Sequence, residues 1–183
     1  MIYIFIAVVA ALSMWAVATY NRGVKVRNQV EEAWSGISVQ LKRRYDLIPN
    51  LVNTVKGYAK HEQETFEKVI ELRNRAQAVP NDDHAAQAQA EQALSAGLRG
   101  IFALAENYPD LKANQNFMEL QGSITDVEDN IQNARRYYNA VVRDNNNYVE
   151  TFPSMVIARM GGFDTFAYFE IDDRERENVK VEF

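Results

Sequence analysis

Residues 1–21 carry no charged side chain, and the run IYIFIAVVAALSMWAVATY at positions 2–20 is interrupted only by Ser13 and Thr19. Held as a helix with a rise of ~1.5 Å per residue, such a run matches the hydrocarbon thickness of a bilayer. Trp15 and Tyr20 stand toward its far end, where interfacial aromatic rings are favoured. Ala16-Val17-Ala18 resembles a signal-peptide cleavage site. However, no basic segment precedes the run, and the run is longer than a usual signal-peptide core, so the pattern predicts an uncleaved anchor over 1–21. Arg22, Lys25 and Arg27 follow at once, while the N-terminal side has no basic side chain. That asymmetry predicts the N-terminus outside and the bulk of the chain in the cytoplasm. The same three cations are the candidate lipid-headgroup contacts.

The remainder is long enough for one domain. Apolar residues make up 47 % of the chain, and 8 Gly with 4 Pro are too few for a turn-rich β protein. A net charge of −5 and the lack of a basic face argue against a nucleic-acid partner. The chain has no cysteine, which excludes disulfides, thiolate metal sites, a cysteine nucleophile and a lipidated N-terminal cysteine.

From Val30 the apolar positions 30, 34, 37, 41, 45 and 48 keep a helical period, and the stripe resumes at Val52, Val55, Ala59, Phe66, Val69, Arg73 (by its stem) and Ala76. Between the two parts lies Tyr45-Asp46-Leu47-Ile48-Pro49. Lys42, Arg43 and Arg44 suit the negative end of one helix dipole, Asp46 the N-cap of a next helix, and Pro49 its first turn. A break near Asp46 is therefore expected; the unbroken stripe favours a kink, and the cap signals allow a full reversal. The basic triplet reads equally as a helix-end cluster or as a phospholipid contact. Pro80-Asn81-Asp82-Asp83 predicts a turn and cap before an alanine-rich helix over about 84–106, and Asn107-Tyr108-Pro109-Asp110 predicts the next turn, with Asp110 as the next N-cap. A heptad seam follows, at Phe117, Leu120, Ile124, Val127, Ile131, Ala134, Tyr138, Val141, Asn145 and Tyr148. It serves either as the inner face of a bundle, the favoured reading, or as a seam to a second subunit. Beyond Pro153 stand two short helical turns, the aromatic stretch holding Phe163, Phe166, Tyr168 and Phe169, and a charged end closing on Phe183. Those aromatics are too apolar to be left in water without a partner.

No constellation for catalysis is found. Di-metal bundles use Glu-x-x-His, but the residues three before His61 and His84 are Tyr58 and Asn81. His61-Glu62 opens like a zinc-protease motif, but Thr65 stands where the second histidine is needed. His61, Glu62, Glu64 and Glu67 read as an ordinary solvated face. The expectation is no enzyme, no cofactor and no metal.

WSGISVQLKRRYDLIPNLVNTVKGYAKHE (34–62), YPDLKANQNFMELQ (108–121), IQNARRYYNAVV (131–142), FPSMVIARMGGF (152–163) and the terminal VKVEF together resemble the LemA family. The resemblance includes the N-terminal anchor and covers nearly the whole chain. It implies an all-α, single-pass protein of the bacterial cytoplasmic (inner) membrane: an anchor over 1–21, an antiparallel up-and-down four-helix bundle over 22–152, and a C-terminal tail over 153–183. With the break at Asp46–Pro49 taken as a turn of that bundle, the helices fall at about 22–46, 47–79, 84–106 and 111–152. The resemblance implies no catalytic residues. The favoured role is a homo-oligomeric scaffold at the cytoplasmic face; the alternative is an adaptor for another membrane protein, such as a protease or signalling receptor. Trp34, Phe163, Phe166, Tyr168, Phe169 and Phe183 are the candidate oligomer or partner contacts.

Overall fold

The apolar run does not end as a separate element: in the computed structural model, which describes residues 1–169, it opens a 55-residue helix, α1 (Ile2–Lys56). Five further helices follow among the described residues: α2 (Gln63–Gln77), α3 (His84–Ala105), α4 (Pro109–Lys112), α5 (Gln115–Glu150) and α6 (Ser154–Gly161). No strand occurs among them. By packing, the chain divides into two units. One comprises Met1–Ile37 with Ala134–Tyr168, and the other comprises Ser38–Asn133 with Phe169.

In the first unit, Val30, Ala33 and Ile37 of α1 are buried, as are Tyr138, Val142, Asn145 and Tyr148 of α5. The Tyr148 hydroxyl donates to the Thr19 carbonyl at 3.0 Å, and the Trp34 ring lies 5.5 Å from that of Tyr138. Contacts 19 to 148 and 34 to 138 run in opposite directions along the chain, so these two helical segments pack antiparallel. Gly23 permits the close approach: a Cβ there would lie 2.7 Å from the Tyr148 ring. After α6, Gly162 adopts a left-handed conformation (φ 67°), for which glycine carries no Cβ penalty, and this closes the helix. The chain then returns along α5. Asn146 accepts from the Phe166 N–H at 2.9 Å and donates to its carbonyl at 2.9 Å, while Asn145 donates to the Asp164 carbonyl at 3.0 Å.

In the second unit, the stripe Leu41, Tyr45, Ile48, Val52 and Val55 is buried with Phe66 and Val69 of α2, Leu94, Leu98 and Ile101 of α3, and Phe117, Ile124 and Val127 of α5. Gly97 lets α2 and α3 approach, since a Cβ there would stand 2.9 Å from Leu72 Cδ1. Asp83 caps α3 by accepting from the Ala86 N–H at 2.9 Å.

Two expectations about helix ends are corrected. The chain does not turn back near Asp46: α1 continues through Pro49 and ends at Lys56, before Gly57. A basic residue in the last turn followed by glycine is itself a stop signal, and it prevails over Asp46–Pro49. Asp46 is no N-cap; it pairs with Lys42 one turn back at 2.9 Å. Pro49 withholds the N–H that would meet the Tyr45 carbonyl, and Arg73 Nε of α2 supplies a donor there at 2.8 Å. The fourth helix does not start from an Asp110 cap either. Pro109–Lys112 makes its own short helix, and Asn114 caps α5 by accepting from the Phe117 N–H at 3.0 Å.

Candidate functional site

In the first unit, the polar end of the apolar run borders a groove of about 820 Å³. Trp15, Thr19, Arg22 and Lys25 line it from α1, Asn147 and Thr151 from the end of α5, and Phe152, Pro153 and Ser154 from the turn into α6. The helical period sets the α1 contribution: positions 15, 19, 22 and 26 recur in steps of four and three, so they share one face. Arg22 and Lys25 are exposed cations, and Asp144, which also borders the groove, lies 3.6 Å from Arg143. The groove thus joins aromatic rings, hydroxyls and two cations beside the last turns of an apolar helix. Such a set can hold an anionic group at its polar end and apolar chains at the other.

Tyr148, which lines the groove, also belongs to a small hydrophobic core with Ala158 and Phe163. Phe163 stands edge-on to Tyr20 at 5.5 Å and to Tyr148 at 5.8 Å, and the Arg27 guanidinium lies 5.8 Å from its ring centre. Burial pushes the Tyr148 hydroxyl pKa up, with Arg22 opposing. Burial also raises Tyr138, to about 12; its hydroxyl donates to the Ala167 carbonyl at 3.0 Å.

The candidate residues are therefore not gathered in one place. Arg22 and Lys25 border the groove, while Arg27 turns to Phe163 and to Glu31, 3.9 Å away. Trp34 is half-buried against Tyr138, Phe163 is buried, Phe166 is half-buried, and Tyr168 stays 39 % exposed. Phe169 is buried in the second unit. Phe183 and the terminal VKVEF lie outside the described residues.

The second unit contains a polar network that the sequence reading missed. Arg44, 1 % exposed, donates through Nη1 to Glu128 at 2.8 Å and to Ser95 at 2.9 Å, and through Nη2 to Glu91. Glu91 also accepts from the Tyr45 hydroxyl and from Gln87 Nε2 at 2.6 Å, and Ser95 donates to Glu128 at 2.6 Å. Burial raises the Tyr45 pKa, opposed first by the Arg44 charge and then by the Gln87 hydrogen bond. A buried cation must be met by carboxylates, and α3 and α5 each supply one. The signal was present in the spacing: Arg44 falls between Leu41 and Ile48 on the inward stripe, where a cation is out of place. Of the basic triplet, only Lys42 and Arg43 are exposed. Among the described residues, no group of three or more His, Asp or Glu side chains is placed to hold a metal ion.

Comparison with known proteins bears on the whole chain. The model of the LemA family matches residues 33–183. A curated relative, Protein LemA of Metamycoplasma hominis, is 26 % identical over 179 residues, covering 97 % of this chain and 81 % of the relative.

Proposed function

The chain belongs to the LemA family, and on that footing we propose that it is a non-enzymatic protein anchored in the bacterial cytoplasmic membrane that self-assembles into a homo-oligomeric scaffold. Residues 1–21 cross the bilayer with the N-terminus outside, and the helices of residues 22–152 form an up-and-down four-helix bundle on the cytoplasmic side. The observation that carries the membrane anchoring is the exposed apolar start of α1: Ile4, Phe5 and Leu12 are 60 % exposed or more, and no other described helix is long and apolar enough to span a membrane. Leaving such a surface in water is unfavourable by about 25 cal/mol per Å² of apolar area.

Most of the heptad seam on α5 is buried within the chain itself, so assembly uses other surfaces. Val39 and Met118 each expose half or more of their area outside the apolar run, and they are the residues best suited to that role. The test is the mass of the full-length protein in mild detergent, measured beside a version that starts at Arg22. A large, discrete mass for the intact chain is the expected result. A single-subunit mass in both detergent and lipid refutes the scaffold and favours the adaptor. In that case, deleting residues 172–183 should remove a specific co-purifying membrane protein. A reporter fused after Phe183 tests the orientation, and extracytoplasmic activity overturns it.

A further inference from the structure

Helix α6 and the turn before it carry three apolar side chains with nothing over them: Phe152 is 79 % exposed, Met160 82 % and Val156 43 %. Val156 and Met160 lie one turn apart on a single face of α6, and Phe152 stands in the preceding turn, four residues before Val156. The opposite side of the element is closed, with Ala158 fully buried and Phe163 packed on Tyr148. A short helix with one closed face and one open apolar face needs a second apolar partner.

Its position identifies the partner. Phe152 and Pro153 share the groove with Trp15 and Thr19, inside the apolar run of α1. At the far end of α6, a Cβ on Gly161 would lie 3.1 Å from the Tyr20 ring. Both ends of the element are therefore held against the last turns of the anchor. Trp15 and Arg22 are separated by about 10 Å along a helix axis, comparable to the ~5–10 Å to which an interfacial helix buries its apolar face at the headgroup–acyl boundary. Arg22 and Lys25 flank the groove on its polar side, and Arg159 is exposed on α6 itself. We infer that α6 and its preceding turn are a second membrane-contacting element: Phe152, Val156 and Met160 enter the interfacial layer of the bilayer that α1 crosses, and Arg22 and Lys25 receive the phosphate of an anionic phospholipid.

The inference rests on residues 1–21 being a bilayer anchor, and its test separates the two. Because the chain has no cysteine, single-cysteine variants carry one spin label each. Phe152→Cys, Val156→Cys and Met160→Cys are compared in the full chain, reconstituted in phosphatidylcholine vesicles with and without phosphatidylglycerol. Leu12→Cys marks the anchor, and Tyr137→Cys, 53 % exposed on α5, marks water. The expected result at 152, 156 and 160 is high collision with oxygen and low collision with a water-soluble nickel chelate, shifted toward the values at Leu12. Phosphatidylglycerol should deepen the three labels, and Arg22→Gln with Lys25→Gln should abolish that deepening.

Nickel access at the three sites equal to that at Tyr137, with Leu12 protected, overturns the inference alone. Low access to both reagents means that protein covers the face, as a second copy would, and overturns it as well. Nickel access at Leu12 removes the anchor and the inference together. Depths indifferent to phosphatidylglycerol refute the phosphate contact.

Discussion

Arg73 Nε donates to the main-chain carbonyl of Tyr45 at 2.8 Å, at the one point where Pro49 deprives helix α1 of its own donor. A proline inside a helix leaves the carbonyl four residues earlier without its N–H, and an unmet buried carbonyl costs about 1–3 kcal/mol. Here a side chain from α2 meets it, so a local defect in one helix fixes the position of another. Arg73→Leu should destabilise the chain by about 1–3 kcal/mol. In the Pro49→Ala background the same substitution should cost markedly less, because the restored N–H reaches the carbonyl. Denaturant unfolding of all four proteins checks this, and strictly additive losses would refute the coupling.

The Arg44 network makes a second, sharper prediction. Arg44→Met leaves Glu91 buried without its cation and should cost about 3–5 kcal/mol. Adding Glu91→Gln removes the stranded charge and keeps an acceptor for the Tyr45 hydroxyl. The double variant should therefore unfold later than Arg44→Met alone. Lys42→Met, which breaks only an exposed pair, should shift stability by less than about 1 kcal/mol.

Asn146 holds both main-chain groups of Phe166. Asn146→Ala releases both, and the segment 163–169 should become a preferred site of limited proteolysis. Asn146→Asp still accepts from the N–H but cannot donate to the carbonyl, so its cleavage rate should fall between those of the wild type and the alanine variant. Equal rates for all three would show that the clip does not hold the segment.

The Tyr138 pKa lies at about 12, raised from 10.0 by burial. A raised pKa in the folded state means that the group's stabilising contribution is complete below pH 10 and is lost as pH rises through 10 toward 12. Ultraviolet titration of tyrosinate should therefore show a late step, absent in Tyr138→Phe. The variant's stability should fall less steeply on the alkaline side. His84 has the opposite dependence: burial lowers its pKa from 6.5, so stability is complete above that value and declines as pH falls below it.

Much of the fold could be read from the chain because helical period and cap chemistry are local. The anchor, the cap at Asp83, the start of α3 and the seam of α5 all rest on residues within a few turns of each other. The turn expected at Asp46–Pro49 shows where local reasoning ends. Proline in a helix interior is unfavourable by about 3 kcal/mol in isolation, so the sequence alone places a break there. Arg73, 28 positions beyond Tyr45, offsets part of that cost.

The candidate site divides in the same manner. Arg22, Lys25 and Trp15 could be singled out from their place beside an apolar run, whereas Asn147, Thr151 and Phe152 join them only because α5 returns antiparallel to α1. Glu91 and Glu128 look like surface carboxylates until Arg44 is placed inside. The sequence by itself determined helix period, apolar length and charge asymmetry, since these depend on neighbours along the chain. The tertiary structure decided which helix supplies the donor for the Tyr45 carbonyl, which carboxylates meet Arg44 and which apolar face of α6 stays uncovered. Each of these depends on pairing groups that are distant in sequence, and only the packed chain brings them within hydrogen-bonding or van der Waals reach.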